Sequence, residues 1–298
     1  MKKMLSVILT LALLLTAVSA LAENPAAAIV DAGENLFYWT ENVTLKGEAT
    51  FLLDGVEFKH AEATYIQDGD RSFWQLNLRT PRPNMPDAGE KKSGYTIIAD
   101  GMDVYVMEVV FPGVYKTATT APQRTILRKS VELDLMLAMV RNLAKSADTI
   151  LGEGAITAAE NAEGGTDVRF VLNENTPEMV NTALTLLYQY AARRYRNINF
   201  DILNNDYMSP ISAYATVTEG ILFTTEYMRL KQADAAVTLD AADELQSVSG
   251  SASVYLQTGG DGQHLLDVTF RLDVSNRDAS TVEAFDPAKY GVVPAEIY

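Results

Sequence analysis

The sequence predicts an α+β protein in which helices cover one face of an antiparallel sheet. Apolar and polar residues alternate over residues 43–117 and again over 221–274, with turn signals between the alternating stretches. Between these regions, apolar residues recur every three or four positions over 133–151 and 179–190, as in amphipathic helices. No linker divides the parts. An antiparallel sheet with one apolar face has to bury that face, and the helices are the available cover.

The composition argues against several classes of protein. Of the 298 residues, 48% are hydrophobic, which is enough to build a large core and argues against disorder. The chain has no cysteine, which excludes a disulfide framework, a cysteine nucleophile and a thiolate metal site. Its 24 basic and 39 acidic residues give a net charge of −15, so nucleic acid is not expected as a partner.

The first residues are typical of a secretory signal peptide. Lys2 and Lys3 precede an apolar run over 4–18, and Ala20-Leu21-Ala22 places small residues at the positions that signal peptidase requires before Glu23. The alternative is an uncleaved signal anchor, but the apolar run is short for a membrane span. No cysteine follows the run, so we do not expect an amino-terminal lipoprotein anchor.

Cleavage would leave one domain over residues 23–298, preceded by the signal peptide over 1–22. The mature chain would carry 22 basic and 39 acidic residues, a net charge of −17. It has no further apolar stretch long enough to cross a membrane. We therefore expect a secreted, extracytoplasmic protein, located in the periplasm or at the exterior of the cell envelope.

The amino-terminal half of this domain predicts a helix followed by a meander. Asn24-Pro25 is an N-cap with proline in the first helical position, and a helix follows over about 25–39, weakened by Gly33. Residues 43–117 then predict five or six antiparallel strands. Their turns are Asp54-Gly55, Asp68-Gly69 and Asp100-Gly101.

Two helices with a hairpin between them come next. Ser130 caps the first helix and Gly152 ends it, while Thr176-Pro177-Glu178 begins the second. The hairpin pairs Ala155–Glu160 with Asp167–Leu172.

The last third predicts further strands. Two of them are Ile221–Leu230 and Ala233–Leu239, and the clearest hairpin joins 247–256 to 264–274 through Gly259-Gly260-Asp261-Gly262.

This order of elements resembles the periplasmic lipoprotein-carrier superfamily, with its LolA-like, LppX-like and RseB-like members. The resemblance covers most of the mature chain and lies in five short segments, of which the last two are similar to uncharacterised secreted relatives. The segments are Thr44–Ala49, Thr64–Gly69, Asp100–Val106, Ser247–Ala252 and Phe285–Pro287. It implies an unclosed antiparallel β half-barrel with helices covering the concave face, and binding of a lipid, an acyl chain or a lipoprotein there. No motif assigns individual binding residues, and the missing anchor cysteine departs from the LppX-like branch.

The alternation itself predicts which side chains line the interior of a curved sheet, where an apolar pocket suits an acyl chain. These candidate ligand-binding residues are Phe51, Trp74, Leu76, Val104, Val106, Val254, Leu256, Phe270 and Leu272. The opposing interpretation is that helices fill this space as an ordinary core. Tyr38 and Trp39 would lie at the rim of the pocket, or would form a lid over the core.

The filled core leads to an alternative function, a protein-binding or envelope-stress sensing module whose partner is an envelope protein. A third hypothesis is a hydrolase that uses His60, which shares a strand face with Glu62, or His264. No Gly-x-Ser-x-Gly elbow is present, and two isolated histidines are more often structural, so we do not predict an enzyme.

The sequence predicts neither a metal nor a cofactor. It contains no His-x-x-x-His pair, no calcium-binding loop and no phosphate-binding glycine loop, since no Lys-Ser/Thr follows Gly152-Glu153-Gly154. Two groups of loop acids could bind calcium weakly, although solvated acids are the commoner explanation. They are Asp240, Asp243 and Glu244, and Asp201 and Asp206.

Overall fold

The architecture is taken from a computed structural model of the chain. It describes residues 25–81, 90–108, 113–119, 121–126, 134, 137–138, 141–142, 144–151, 154–182, 184–186, 225–259 and 262–294.

Within these residues, one sheet of twelve strands forms the body of the protein. The strands are β1 (Asn42–Leu53), β2 (Val56–Asp68), β3 (Arg71–Thr80), β4 (Lys91–Asp100), β5 (Asp103–Glu108), β6 (Val114–Ala118), β7 (Ile156–Glu160), β8 (Thr166–Asn173), β9 (Thr225–Leu239), β10 (Leu245–Thr258), β11 (Gly262–Ser275) and β12 (Val292–Pro294). Their order across the sheet is β12-β6-β5-β4-β3-β2-β1-β11-β10-β9-β8-β7. Neighbouring strands in this order are antiparallel, except that β12 pairs with β6 in parallel. The outermost strands, β7 and β12, do not pair with each other, so the sheet is an unclosed half-barrel and the predicted fold class is confirmed.

Helix α1 (Pro25–Glu34) and a π-helical turn (Asn35–Trp39) lie on the inner, concave face of the sheet. The sequence predicted a helix over 25–39, and the change to π geometry at Asn35 is the detail it did not predict. The turn ends where Thr40 donates to the Asn35 carbonyl through its backbone N–H at 3.0 Å and its hydroxyl at 3.1 Å. Ile29 and Leu36 are buried against the sheet, so this apolar stripe covers the concave face.

The later helices are described only in part. The described residues of the predicted 130–152 segment are helical apart from a turn at Ser146, and end in α2 (Ala147–Leu151). Ala144 and Ala147 pack with Ala26 and Val30 of α1 in a small second cluster. The predicted second helix is confirmed over 178–182 and 184–186, and its remainder lies outside the described residues.

The strand predictions hold with two corrections. Ile221–Leu230 and Ala233–Leu239 are not two strands: the described part of this region, β9, runs unbroken from Thr225 to Leu239. The alternation of inward and outward side chains along β9 is interrupted at Lys231-Gln232. Ser253 of β10 pairs with Gln232 and Val254 with Leu230, so the extra residue, Lys231, forms a β-bulge. The second correction is β12, which pairs in parallel with a strand far away in sequence and carries no local signal.

Glycine allows two pairs of strands to approach closely. A Cβ atom on Gly94 of β4 would lie 2.1 Å from the Leu76 carbonyl oxygen of β3. One on Gly250 of β10 would lie 2.6 Å from the Asp234 carbonyl oxygen of β9. These contacts are possible only without a side chain, so both glycines are required by the sheet.

Candidate functional site

All nine predicted ligand-binding residues face the concave side of the sheet. Residues paired across neighbouring antiparallel strands share a face, and Trp74 pairs with Ile97, which pairs with Val106. On the other side of β1, Phe51 pairs with Val268 of the core. The strand alternation therefore placed these side chains correctly, although their role in binding is a separate question.

The nine residues fall into two groups by exposure. Trp74, Leu76, Val254, Leu256 and Leu272 belong to the buried core, where Leu256 is 0% exposed. The remaining four are half-buried. Helix α1 touches the sheet at β9 and β10, which carry two of the buried residues.

The half-buried residues belong to a larger set, which we call the apolar strip. Its members are Phe51, Leu53, Phe58, Tyr95, Ile97, Val104, Val106 and Phe270. The rings of Phe51 and Phe58 lie 6.1 Å apart at the end of the β1–β2 hairpin. Six members of the strip pack against the buried core, so the strip continues the core toward solvent. The other two, Val104 and Val106, are assigned to the concave face by strand register alone.

Tyr38 and Trp39 point in different directions at the end of the π-helical turn. Trp39 is 59% exposed, whereas Tyr38 is 5% exposed and packs in the core. Burial, followed by the nearby Asp134 and Glu34 carboxylates, raises the pKa of Tyr38 to about 12. Among the described residues, no hydrogen-bond partner is found for its hydroxyl. The Tyr38 hydroxyl is therefore a buried, protonated donor, and a buried polar group without a partner is uncommon in folded proteins.

A second buried polar group lies at the far end of β2. The Gln67 side chain is 0% exposed, and its Nε2 donates to the carbonyls of Gly69, Arg71 and Gln123 at 2.6, 3.1 and 3.0 Å. Its Oε1 accepts a hydrogen bond from the Tyr65 hydroxyl, whose pKa is raised by burial. This network was not predicted from the sequence, although a glutamine at an inward position of β2 was the available signal.

The free part of the β9 edge is capped by side chains. Strand β8 pairs with β9 only from Gln232 onward, and no other strand of the described residues pairs with Met228 and Leu230 on that side. The Met228 N–H donates to Thr185 Oγ1 and the Leu230 N–H to Asn181 Oδ1, both at 2.9 Å. Both caps come from the helical residues 178–182 and 184–186, which are thereby attached to the sheet.

The two histidines do not meet. His60 lies among outward-facing residues, with Nδ1 2.9 Å from Thr50 Oγ1 and Nε2 3.3 Å from Glu62 Oε1. His60 and Glu62 therefore share a face, as predicted, and are also in contact, while Arg79 binds the same carboxylate at 3.2 Å.

His264 lies near the turn between β1 and β2, where its Nδ1 is 2.8 Å from Asp54 Oδ2. This hydrogen bond, with one from the Leu265 N–H, lowers the pKa of Asp54. The Ser253 hydroxyl, from the serine-rich strand β10, donates to Asp267.

The acidic residues of the loop between β9 and β10 stabilise the turn that contains them. Asp240 accepts hydrogen bonds from the N–H groups of Ala242 and Glu244 at 2.9 Å and from Gln246 at 2.8 Å. Glu244 pairs with Arg277 at 3.2 Å. Asp201 and Asp206 lie outside the described residues. In the part of the chain that the structure describes, no group of three His, Asp or Glu residues is arranged to hold a metal.

No family model matches the chain, and no curated protein matches it. Among solved structures, it is similar to a LolA superfamily protein from Nitrosomonas europaea, with 8% identity, a TM-score of 0.21, and 88% of this chain and 94% of that chain covered. It is also similar to a DUF1329 family protein from Desulfovibrio piger, with 10% identity, a TM-score of 0.21, and coverage of 89% and 96%. At these TM-scores neither similarity supports a conclusion about ligand or activity. No helix within the described residues is both long and apolar enough to cross a membrane.

Proposed function

We propose that the protein is a secreted, extracytoplasmic binding protein that holds a lipid, an acyl chain or the acyl groups of a lipoprotein on its concave face. The observation that carries this proposal is the apolar strip. Phe51, Phe58 and Phe270 are only half-buried although they continue the core. Covering such side chains with a ligand stabilises the complex by roughly 25 cal/mol per Å² of apolar surface, before the ordering costs.

Tyr38 would supply the polar contact of the complex. Apolar pockets usually orient their ligand with a few polar groups, and the Tyr38 hydroxyl is a buried donor within the same core. We propose that it donates to the carboxylate or ester oxygen of the ligand. Since its pKa is raised to about 12, it stays protonated at neutral pH.

The test uses the mature chain, residues 23–298. Native mass spectrometry followed by organic extraction should detect a co-purifying lipid, and palmitate should raise the melting temperature of the delipidated protein. Phe270→Glu, on the concave face, should abolish the palmitate effect because it places a charge against the acyl chain. Thr269→Glu adds the same charge to the outer face and should leave the effect unchanged. Equal palmitate responses in the two variants would contradict the proposal.

A role for Tyr38 predicts a separate result. Tyr38→Phe removes only the hydroxyl, which has no partner among the described residues. It should weaken palmitate binding by about tenfold, equivalent to 1.4 kcal/mol, without lowering the stability of the free protein. If palmitate binds equally well to this variant, Tyr38 does not contact the ligand.

The buried half of the predicted residue set favours a second candidate function. Trp74, Leu76, Val254, Leu256 and Leu272 are core residues, as expected of a partner-binding or stress-sensing module with a filled interior. Under this alternative, the purified protein would carry no lipid, and fatty acids and phospholipids would leave its melting temperature unchanged.

A further inference from the structure

A polar cleft of about 390 Å³ lies on the outer face of the sheet, over one end of β9, β10 and β11. Its floor is a row of three paired residues, Tyr227, Gln257 and Gln263, with Arg229 and Tyr255 paired in the neighbouring part of β9 and β10. Its wall is the segment 174–181, which follows β8.

This cleft is separate from the concave face. The floor residues alternate along the same strands with buried core residues, including Met228, Leu230, Val254 and Leu256. The backbone of the sheet therefore lies between the cleft and the apolar strip, and a ligand of one would not contact the other.

The chemistry of the cleft differs from that of the concave face. Every side chain that lines it carries a hydrogen-bonding group, and none is aliphatic. Its charged residues are Glu174, Glu178 and Arg229, which give a net charge of −1. An acyl chain would find no apolar walls here, and a phosphate would meet more negative than positive charge.

The wall of the cleft is held in place by hydrogen bonds. The Tyr227 hydroxyl donates to Glu178 Oε1, and Asn181 Nδ2 donates to Glu178 Oε2 at 3.3 Å. The hydrogen bond from Tyr227 is the main cause of the lowered pKa of Glu178, so this carboxylate is an ionised acceptor at neutral pH. Asn181 in turn accepts from the Leu230 N–H at 2.9 Å, which joins the wall to the sheet.

We propose that this cleft binds a neutral oligosaccharide. Side-chain amides at Gln257 and Gln263 can both donate to and accept from neighbouring sugar hydroxyls, and the Glu178 carboxylate accepts from them. The half-buried rings of Tyr227 and Tyr255 supply the limited apolar surface that the C–H groups of a pyranose ring need. Lys231 restrains the ring of Tyr255 through a cation–π contact, in which its Nζ lies 5.8 Å from the ring centroid.

The experiment is saturation-transfer difference NMR on the mature chain with maltohexaose, cellohexaose and chitohexaose as probes, followed by calorimetric titration of any that bind. At least one of the three should receive saturation. Gln257→Ala should weaken its affinity by about tenfold or more. Gln257 is exposed, so this variant should fold, and Tyr255→Ala is a second variant that tests the aromatic contact. Gln75→Ala makes the same change on the outer face of β3, and should bind as the unchanged protein does.

Absence of saturation transfer to all three hexasaccharides would overturn the proposal. So would a hexasaccharide that binds equally well to the unchanged protein, Gln257→Ala and Tyr255→Ala, since it would be bound elsewhere. Because the lipid experiment reports on the opposite face, either result leaves the proposed lipid-binding function to be decided separately.

Discussion

Gln67 illustrates how one buried polar side chain connects several parts of the chain. Its amide nitrogen donates to carbonyls of the β2–β3 turn region and to that of Gln123, a residue beyond β6. Gln123 then donates to the carbonyls of Thr125 and Ile126 at 2.9 and 2.8 Å. Buried polar groups that have all their partners favour a single arrangement of the chain, so we expect this network to hold segment 121–126 on the sheet.

Replacing Gln67 should therefore be costly. Gln67→Leu removes the donor to three part-buried carbonyls and the acceptor of the Tyr65 hydroxyl, and should lower the free energy of unfolding by about 2–4 kcal/mol. Urea denaturation measures the loss. Gln75→Leu, which makes the same change on the outer face of β3, should stay within about 0.5 kcal/mol of the unchanged protein. A comparable loss in both variants would show that the network contributes nothing specific.

The Asp54–His264 contact predicts a dependence on pH. Hydrogen bonds from His264 and from the Leu265 N–H hold the pKa of Asp54 below its ordinary value. The stabilisation from this carboxylate is therefore complete above the unfolded pKa of about 3.9, and disappears as the pH falls through the lower, folded pKa. Because Asp54 is exposed, we expect it to contribute less than about 1 kcal/mol.

Asp54→Asn should accordingly reduce the slope of unfolding free energy against pH below about pH 4. Asparagine tolerates the left-handed backbone that Asp54 adopts, at φ 52°, so the turn should be kept. Urea denaturation at a series of pH values measures the slope. His264→Gln should reduce this slope only in part, since the hydrogen bond from the Leu265 N–H remains. The double variant with Asp54→Asn and His264→Gln should not lose more of the slope than Asp54→Asn alone. An unaltered slope in Asp54→Asn would contradict this assignment.

Among the elements, the part of β9 that β8 does not pair with shows how the protein protects a strand edge. Unpaired strand edges can pair with other chains, and natural proteins cover them. Here Asn181 and Thr185 accept hydrogen bonds from the N–H groups of Leu230 and Met228, respectively, at the part of the edge that β8 does not reach. The helical residues 178–182 and 184–186 thus replace a strand, using side chains where a neighbouring strand would use its backbone.

Thr185→Val keeps the shape of the side chain but removes the acceptor for the Met228 N–H. The buried N–H would lose its partner, at a cost of about 1–3 kcal/mol, and its hydrogen exchange should accelerate. Hydrogen-exchange NMR at Met228 and at Val237, in the part of β9 that pairs with β8, separates a local effect from a general one. Thr238→Val, on the same strand, is the matched control. Unchanged exchange at Met228 would show that Thr185 does not cap the edge.

At the scale of the whole molecule, β1 joins the two halves of the sheet. It pairs with β2 on one side and with β11 on the other, the latter over ten residue pairs from Thr44–Ser275 to Leu53–Leu266. The chain between β11 and β12 strengthens this junction, because Asn42 Oδ1 accepts from the Ser280 N–H at 2.6 Å and Asp68 from the Val282 N–H at 3.1 Å.

This junction predicts that residues 23–298 unfold as one unit. Trp74 is buried in β3, in the amino-terminal half of the sheet, whereas Trp39 is 59% exposed. The change in fluorescence on unfolding therefore reports mainly on the surroundings of Trp74, whereas far-UV circular dichroism reports on all strands. The two signals should follow the same urea transition. A second transition seen only by circular dichroism would divide the chain into two domains.

Much of the inner face could be predicted because alternation along a strand is a local property. Phe51, Trp74 and Leu256 were assigned to the concave side from spacing alone, and the register agrees. The extent of their exposure could not be predicted. It depends on where α1 packs, and the same apolar residues serve equally well as a filled core or as an open surface.

Local patterns along the chain account for the antiparallel strands, most of their turns, the first helix and the alternation that separates an apolar face from a polar one. These features follow from steric preferences and from periods of two and three to four residues, which act over a few positions. Three contacts carry no such local signal and become visible only in the folded protein: β1 lies beside β11, Asn181 and Thr185 cap β9, and β12 pairs with β6. Each of these contacts joins residues far apart in the chain, where the choice among partners depends on the packing of the whole sheet.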